Sequence, residues 1–265
     1  MLFRSVALAL ASAGWAIATL IAERVSWKSI PLPVLPVFGW IALSPLWSPY
    51  ALSSVGLTLA FFCTVLIGVA LVSVNTVDEL VTHASTALRA ILASSLVFEI
   101  VVGLRGVPLY PVGMDAPPGT SIELAWCRAI FFESGGRIQG IVGNANLLGM
   151  LALLALVIAV VRIAARETRT WAIVDAVLAG ILLVKTASTT VALAAVAVAG
   201  VWLLVWLARR RQLFARLSIG AILTAAVGAV VVALTNWTTV TAALGKSPDL
   251  TNRFGIWQAV LERIN

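Results

Sequence analysis

Between Arg137 and Gly149 the chain reads R-I-Q-G-I-V-G-N-A-N-L-L-G, where a long polar loop turns into an apolar stretch. Polar groups at the start of a membrane span are costly unless they are used. Arg137, Gly140 and Asn144 follow i, i+3, i+7 spacing, which predicts one shared helical face. Gly140, Gly143 and Gly149 leave room for another backbone or a bulky ligand. A cation, the amides of Asn144 and Asn146, and bare backbone together suit an anionic, lipid-linked ligand. The alternative is a snorkelling arginine beside a small-residue packing face.

Other chemistry-bearing residues are sparse. Glu99 lies deep in an apolar stretch, and an intramembrane carboxylate is a functional candidate by default. Its alternative is a structural ion pair, with Arg105 as the partner. His83 and Arg89 fall earlier in the same stretch and are expected to face water or headgroups. Lys185 and Arg253 are isolated cations beside polar breaks. Cys63 and Cys127 fall in an apolar span and a loop, so no disulfide is expected between them.

These residues must be carried by membrane helices. Of 265 residues, 61% are hydrophobic and 11% charged, and the mean hydropathy is +1.06. That excludes a water-soluble domain. The net charge of +7 does not point to nucleic acid, because the arginines sit between apolar spans as topology signals. The fold class expected is all-α, a polytopic transmembrane bundle of about eight spans over residues 1–234, with an outer loop at 104–136.

The spans are placed at about Ser5–Ala22, Pro31–Leu46, Gly56–Val74, Leu80–Leu104, the stretch after Asn144 to Ala164, Trp171–Val184, Thr190–Leu207 and Leu217–Leu234. Trp126–Phe132 is read as a short interfacial helix within the outer loop. Residues 235–265 begin an extracytoplasmic loop, and Leu250–Ile264 reads as an amphipathic helix. Arg162, Arg166, Arg169 and the cluster from Arg209 to Arg216 belong in the cytoplasm. Arg137, Lys185 and Arg253 then share the outer side, and the N-terminus falls outside too. Three cations there suggest an outward-facing anion site.

The motifs resemble, in order, those of the O-antigen ligase and polymerase family. R-I-Q-G-I-V-G-N-A-N-L-L-G is similar to that family's Arg…Gly-x-x-x-N-x-N motif. S-P-L-W-S-P-Y resembles its early Ser…Trp-Ser turn, and L-L-V-K-T-A-S-T-T-V-A-L its Thr-x-Ser helix break. T-N-R-F-G-I-W-Q-A-V-L resembles the Arg…Trp motif that opens its large outer loop. Ala145 stands where Pro is usual, Thr189 and Thr190 where Ser-Arg is frequent, and Asn252 where Gly is common. The family's catalytic histidine follows the Arg…Trp motif, so the resemblance places it beyond Asn265 and implies a chain truncated at its C-terminus. His83, the sole histidine, is not its equivalent.

The resemblance implies a GT-C-like glycan transfer outside the inner membrane of a bacterium, without metal or cofactor. The donor would be an undecaprenyl diphosphate-linked glycan, and the acceptor a hydroxyl on a glycan, lipid or protein. Arg137 and Arg253 would bind the diphosphate, with Lys185 a third ligand. Asn144 and Asn146 would orient Arg137 or bind phosphate, and capping or packing is their alternative role. Two rivals stand beside this reading: a secondary transporter or flippase for an anionic lipid or sugar, and a non-catalytic membrane fragment.

Overall fold

The computed structural model describes residues 2–23, 34–111, 120, 122, 125–133, 137–165, 169–209, 235–236, 239 and 260–261. Arg253, the amphipathic tail around it, the eighth span, and the cations Arg166, Arg210, Arg211 and Arg216 lie outside these residues. The described residues are helical, with no strand beyond an isolated bridge between Leu109 and Cys127. In order they form α1 (Leu2–Ala22), α2 (Val34–Leu43), a 3-10 turn (Ser44–Trp47), α3 (Ala51–Val74), α4 (Val77–Arg105), α5 (Ala145–Ala164), α6 (Arg169–Thr186) and α7 (Thr189–Arg209). Four of these, α3, α4, α5 and α7, are long and apolar enough to cross a membrane. The protein is thus a helical membrane protein by the length and composition of its helices.

The chain divides into two compact units, Met1–Leu88 and Arg89–Asn265. In the first, α1 packs on α3 through Ala16, Leu20 and Ala70, flanked by Leu66 and Ile67. The two alanines let the helix backbones approach closely, as is usual where lipid removes the hydrophobic drive for association. Phe38 of α2 meets Phe61 and Phe62 of α3 edge-on, with centroids 6.0 and 5.8 Å away. The uncharged turn expected at Ser44–Tyr50 forms, and Pro45 sits in it where helical hydrogen bonding stops. At the start of α4, Thr76 and Glu79 make a capping box: the Thr76 N–H donates to Glu79 Oε2 at 2.8 Å, and the Glu79 N–H to Thr76 Oγ1 at 3.4 Å.

In the second unit α5 and α6 form the main helix pair, with α7 packed on α5. The buried faces are small: Ala152, Ala155 and Ala159 on α5, and Ala172 and Ala179 with Leu182 on α6. Gly149 gives α7 its access to α5, since a Cβ there would lie 3.0 Å from Val191 Cγ2 and 3.1 Å from Thr186 Oγ1. The polar break at Lys185–Thr190 is two residues long, and Ala187 adopts φ +43° to make it.

Three expectations are corrected. Arg89 does not face water or headgroups. Its guanidinium pairs with Asp175 of α6 through both nitrogens offered and lies 4.6 Å from the Trp171 ring. Trp126–Phe132 is not a helix: Cys127 pairs with Leu109 through two backbone hydrogen bonds of 2.8 and 3.1 Å. The i, i+3, i+7 face of Arg137, Gly140 and Asn144 does not exist either, because α5 begins only at Ala145. Gly140 and Gly143 adopt φ +62° and +66°, which a continuing right-handed helix excludes.

Candidate functional site

The end of the second unit where α5 begins is also where α6 ends and α7 begins. Asn144 is the N-cap of α5. Its Oδ1 accepts from the Asn146 and Leu147 N–H groups at 2.9 and 3.1 Å. The next amide, Asn146, faces the loop: its Oδ1 accepts from Arg137 Nη2 and from the Ser188 hydroxyl at 2.7 Å. Of the roles expected for these amides, Asn144 therefore caps and Asn146 orients Arg137.

The loop that carries Arg137 is pinned by two helices, α6 and α4. The Ile138 N–H donates to the Lys185 carbonyl at 3.2 Å. The Ile141 N–H donates to Ser95 Oγ of α4 at 3.3 Å. The Gln139 and Gly140 N–H groups both donate to Glu99 Oε1, at 2.8 and 2.7 Å. Glu99 is 1% exposed, and its Oε2 accepts from the Cys127 thiol at 3.2 Å. Its partners are thus two backbone amides and a thiol, not Arg105, which is exposed. Gly140 is required where it stands: a Cβ there would lie 2.7 Å from both Cβ and Oγ of Ser95, on a backbone that disfavours any side chain.

These contacts leave a cavity of about 200 Å³ lined by Arg128, Arg137, Gln139, Asn144, Ala145 and Asn146. Arg128 was not singled out by the sequence. The Nε atoms of Arg128 and Arg137 are both buried and have no hydrogen-bond partner. No acidic residue lies in the first turn of α5, so the positive end of its dipole is not offset there. Two guanidiniums with spare donors, an amide-rich wall and a helix N-terminus make this cavity suited to an anion.

Lys185 reaches the same end of the unit but not the cavity wall. Its ammonium donates to the Phe131 carbonyl at 2.7 Å and lies 4.9 Å from the Phe131 ring centroid. The structure therefore gathers Arg137, Asn144 and Asn146 at the cavity, adds Arg128, and sets Lys185 beside it as a brace of the loop. Arg253 is outside the described residues. His83 is an exposed residue of α4.

Burial pushes the Cys127 thiol up to about 12, and its hydrogen bond to Glu99 adds to the effect against a lowering backbone contact from Ala129. Both cysteines are free. The thiolate is the reactive form, so at about pH 8 Cys127 is essentially all thiol and unreactive. In a Cys63→Ala background, N-ethylmaleimide is expected to leave the folded protein unmodified at that pH and to label it only after denaturation. Labelling of the folded protein at the rate of an exposed thiol would contradict the buried Cys127–Glu99 contact.

Comparison with family models, curated proteins and solved structures finds no match to this chain.

Proposed function

We propose that the cavity at the start of α5 binds the diphosphate of a lipid-linked glycan, and that the protein transfers this glycan to an acceptor hydroxyl. One observation carries the reading: Arg128 and Arg137 bring two guanidiniums to the wall of a single cavity whose lining holds no carboxylate, and the Nε–H of each is buried without a partner. Unpaired cations at a membrane surface are costly, and an anion that accepts from both relieves the cost. Guanidiniums fork onto phosphate oxygens, and the same contacts stabilise a diphosphate leaving group as its glycosidic bond breaks.

A second feature fits a lipid carrier. An apolar groove of about 500 Å³ runs along the α6–α7 break, lined by Leu183, Val184, Ala187, Ser188, Thr189, Val191, Ala192 and Ala195. Ser188 joins it to the arginine network through Asn146. A prenyl chain in the groove leaves its headgroup at the cavity. In this reading the carrier is undecaprenyl diphosphate and the membrane is a bacterial inner membrane. The bundle has eight spans with a GT-C-like arrangement, and the cavity opens on the extracytoplasmic side. Arg253 contributes a further diphosphate ligand, and the acceptor is a glycan, lipid or protein hydroxyl.

The test is reconstitution of the full-length protein in liposomes with an undecaprenyl diphosphate glycan and a hydroxyl acceptor. The expected product is a new glycosidic bond, lost on Arg137→Ala. Passage of the donor across the bilayer with no new bond makes the protein a transporter instead. Neither outcome, with no donor bound, leaves a non-catalytic membrane protein.

A further inference from the structure

We propose that Glu99 is a positioning residue that aims Arg128 and Arg137 at one anion by holding both of the segments that carry them. The proposal rests on the reading of the cavity as an anion site. The two arginines come from loop segments separated in sequence, and neither segment is held in place by a helix of its own. Their common anchor is one carboxylate on α4. Oε1 takes the N–H groups of Gln139 and Gly140, two and three residues after Arg137. Oε2 takes the thiol of Cys127, the residue before Arg128.

Several features show that this is a built contact. Glu99 is 1% exposed and Cys127 is fully buried. The paired N–H groups of a turn with Gly140 at φ +62° form a concave donor site for a carboxyl oxygen. The absent Cβ at Gly140 lets α4 come close enough to deliver the carboxylate, with Ser95 filling that space. Backbone groups are usually satisfied by other backbone. Here a side chain takes over that role and so ties loop geometry to α4.

The chemistry separates the two oxygens. Glu99→Gln keeps one oxygen for the Gln139 and Gly140 N–H groups but turns the other position into a donor facing the Cys127 thiol. It loosens the Arg128 segment, which keeps the two backbone bonds of Cys127 to Leu109, and spares the Arg137 segment. Glu99→Ala loosens both, leaving the Arg137 loop its ties to Lys185 and Ser95 and the Arg128 segment its pairing with Leu109. Cys127→Ser keeps a donor and is the conservative variant.

The experiment is titration of detergent-purified protein with inorganic pyrophosphate by calorimetry. Cys127→Ser is expected to bind like the parent, Glu99→Gln about threefold more weakly and Glu99→Ala at least about tenfold more weakly. A double-mutant cycle supplies the readout that a merely structural role would not move. Arg128→Ala and Arg137→Ala should be coupled by at least about threefold in the parent and additive in the Glu99→Gln background. If Glu99→Ala does not fold, Glu99→Gln and Cys127→Ser still decide the matter. Parent-like affinity in Glu99→Gln, or weakened affinity with the arginine coupling intact, overturns the positioning role alone. Failure of the parent to bind pyrophosphate overturns the anion site, and this role falls with it.

Discussion

Arg137→Ala is expected to weaken pyrophosphate binding by roughly 30- to 150-fold, about 2–3 kcal/mol, the range for a hydrogen-bonded charged group that is not replaced. The structural loss should be small. Arg137 gives one hydrogen bond to Asn146, and Asn146 keeps Ser188 and its place in the first turn of α5. The loop keeps its ties to Lys185, Ser95 and Glu99, none of which involves the guanidinium. The affinity lost therefore reports the guanidinium that Arg137 brings to the cavity wall. Arg137→Lys is expected to restore only a minor part, because an ammonium is a point charge without the planar fork. The parent's affinity should also fall with added salt, and less steeply once the charge is gone. Calorimetric titration of the three proteins checks this. An Arg137→Ala affinity within about twofold of the parent would mean that the cavity is not where the anion sits.

Which parts of this arrangement were legible in the sequence follows from the range of the interactions involved. Helix spans depend on local apolar content, so α3, α5 and α7 fall close to their expected places. The break at Lys185–Thr190 was legible for the same reason: polar residues interrupt an apolar run. Asn144 and Asn146 were legible as candidates, and their division of labour was not. It depends on Ser188, forty-two residues further on, whose hydroxyl shares the Asn146 oxygen.

The loop geometry was hidden for a different reason. Periodicity treats Arg137 to Asn144 as helical until the glycines are given positive φ, and only then does the turn face Glu99. Arg128 lay in an aromatic stretch that reads as interfacial helix, and its role needs Cys127 to be fixed by Glu99 and Leu109. Glu99 itself was flagged, with the wrong partner. A buried carboxylate signals that something satisfies it. Here the partners are backbone amides, which carry no sequence mark.

Asp175, like Arg128, carries no mark in the sequence, and its loss is expected to be the most damaging to stability. Asp175 is 5% exposed and Arg89 21%, and they hold α4 and α6 together by a two-pronged ion pair. Asp175→Ala leaves a guanidinium that cannot lose its proton among apolar helices. Breaking a buried pair from one side costs about 3–5 kcal/mol, and the partial exposure of Arg89 puts this loss at about 2–3 kcal/mol. The face of Trp171 remains and offsets only about 1 kcal/mol of that. Arg89→Leu should be milder, since the carboxyl left behind can take up a proton while the new side chain packs. Arg89→Leu with Asp175→Leu should recover part of the loss, because an apolar pair removes the desolvation penalties of this one contact. Unfolding of the purified protein in detergent, followed by helical circular dichroism, ranks the four. A double variant less stable than Asp175→Ala alone would mean that the pair does more than hold two helices. A single Asp175→Ala variant within about 1 kcal/mol of the parent would mean that Arg89 finds water or another acceptor when its carboxylate is removed.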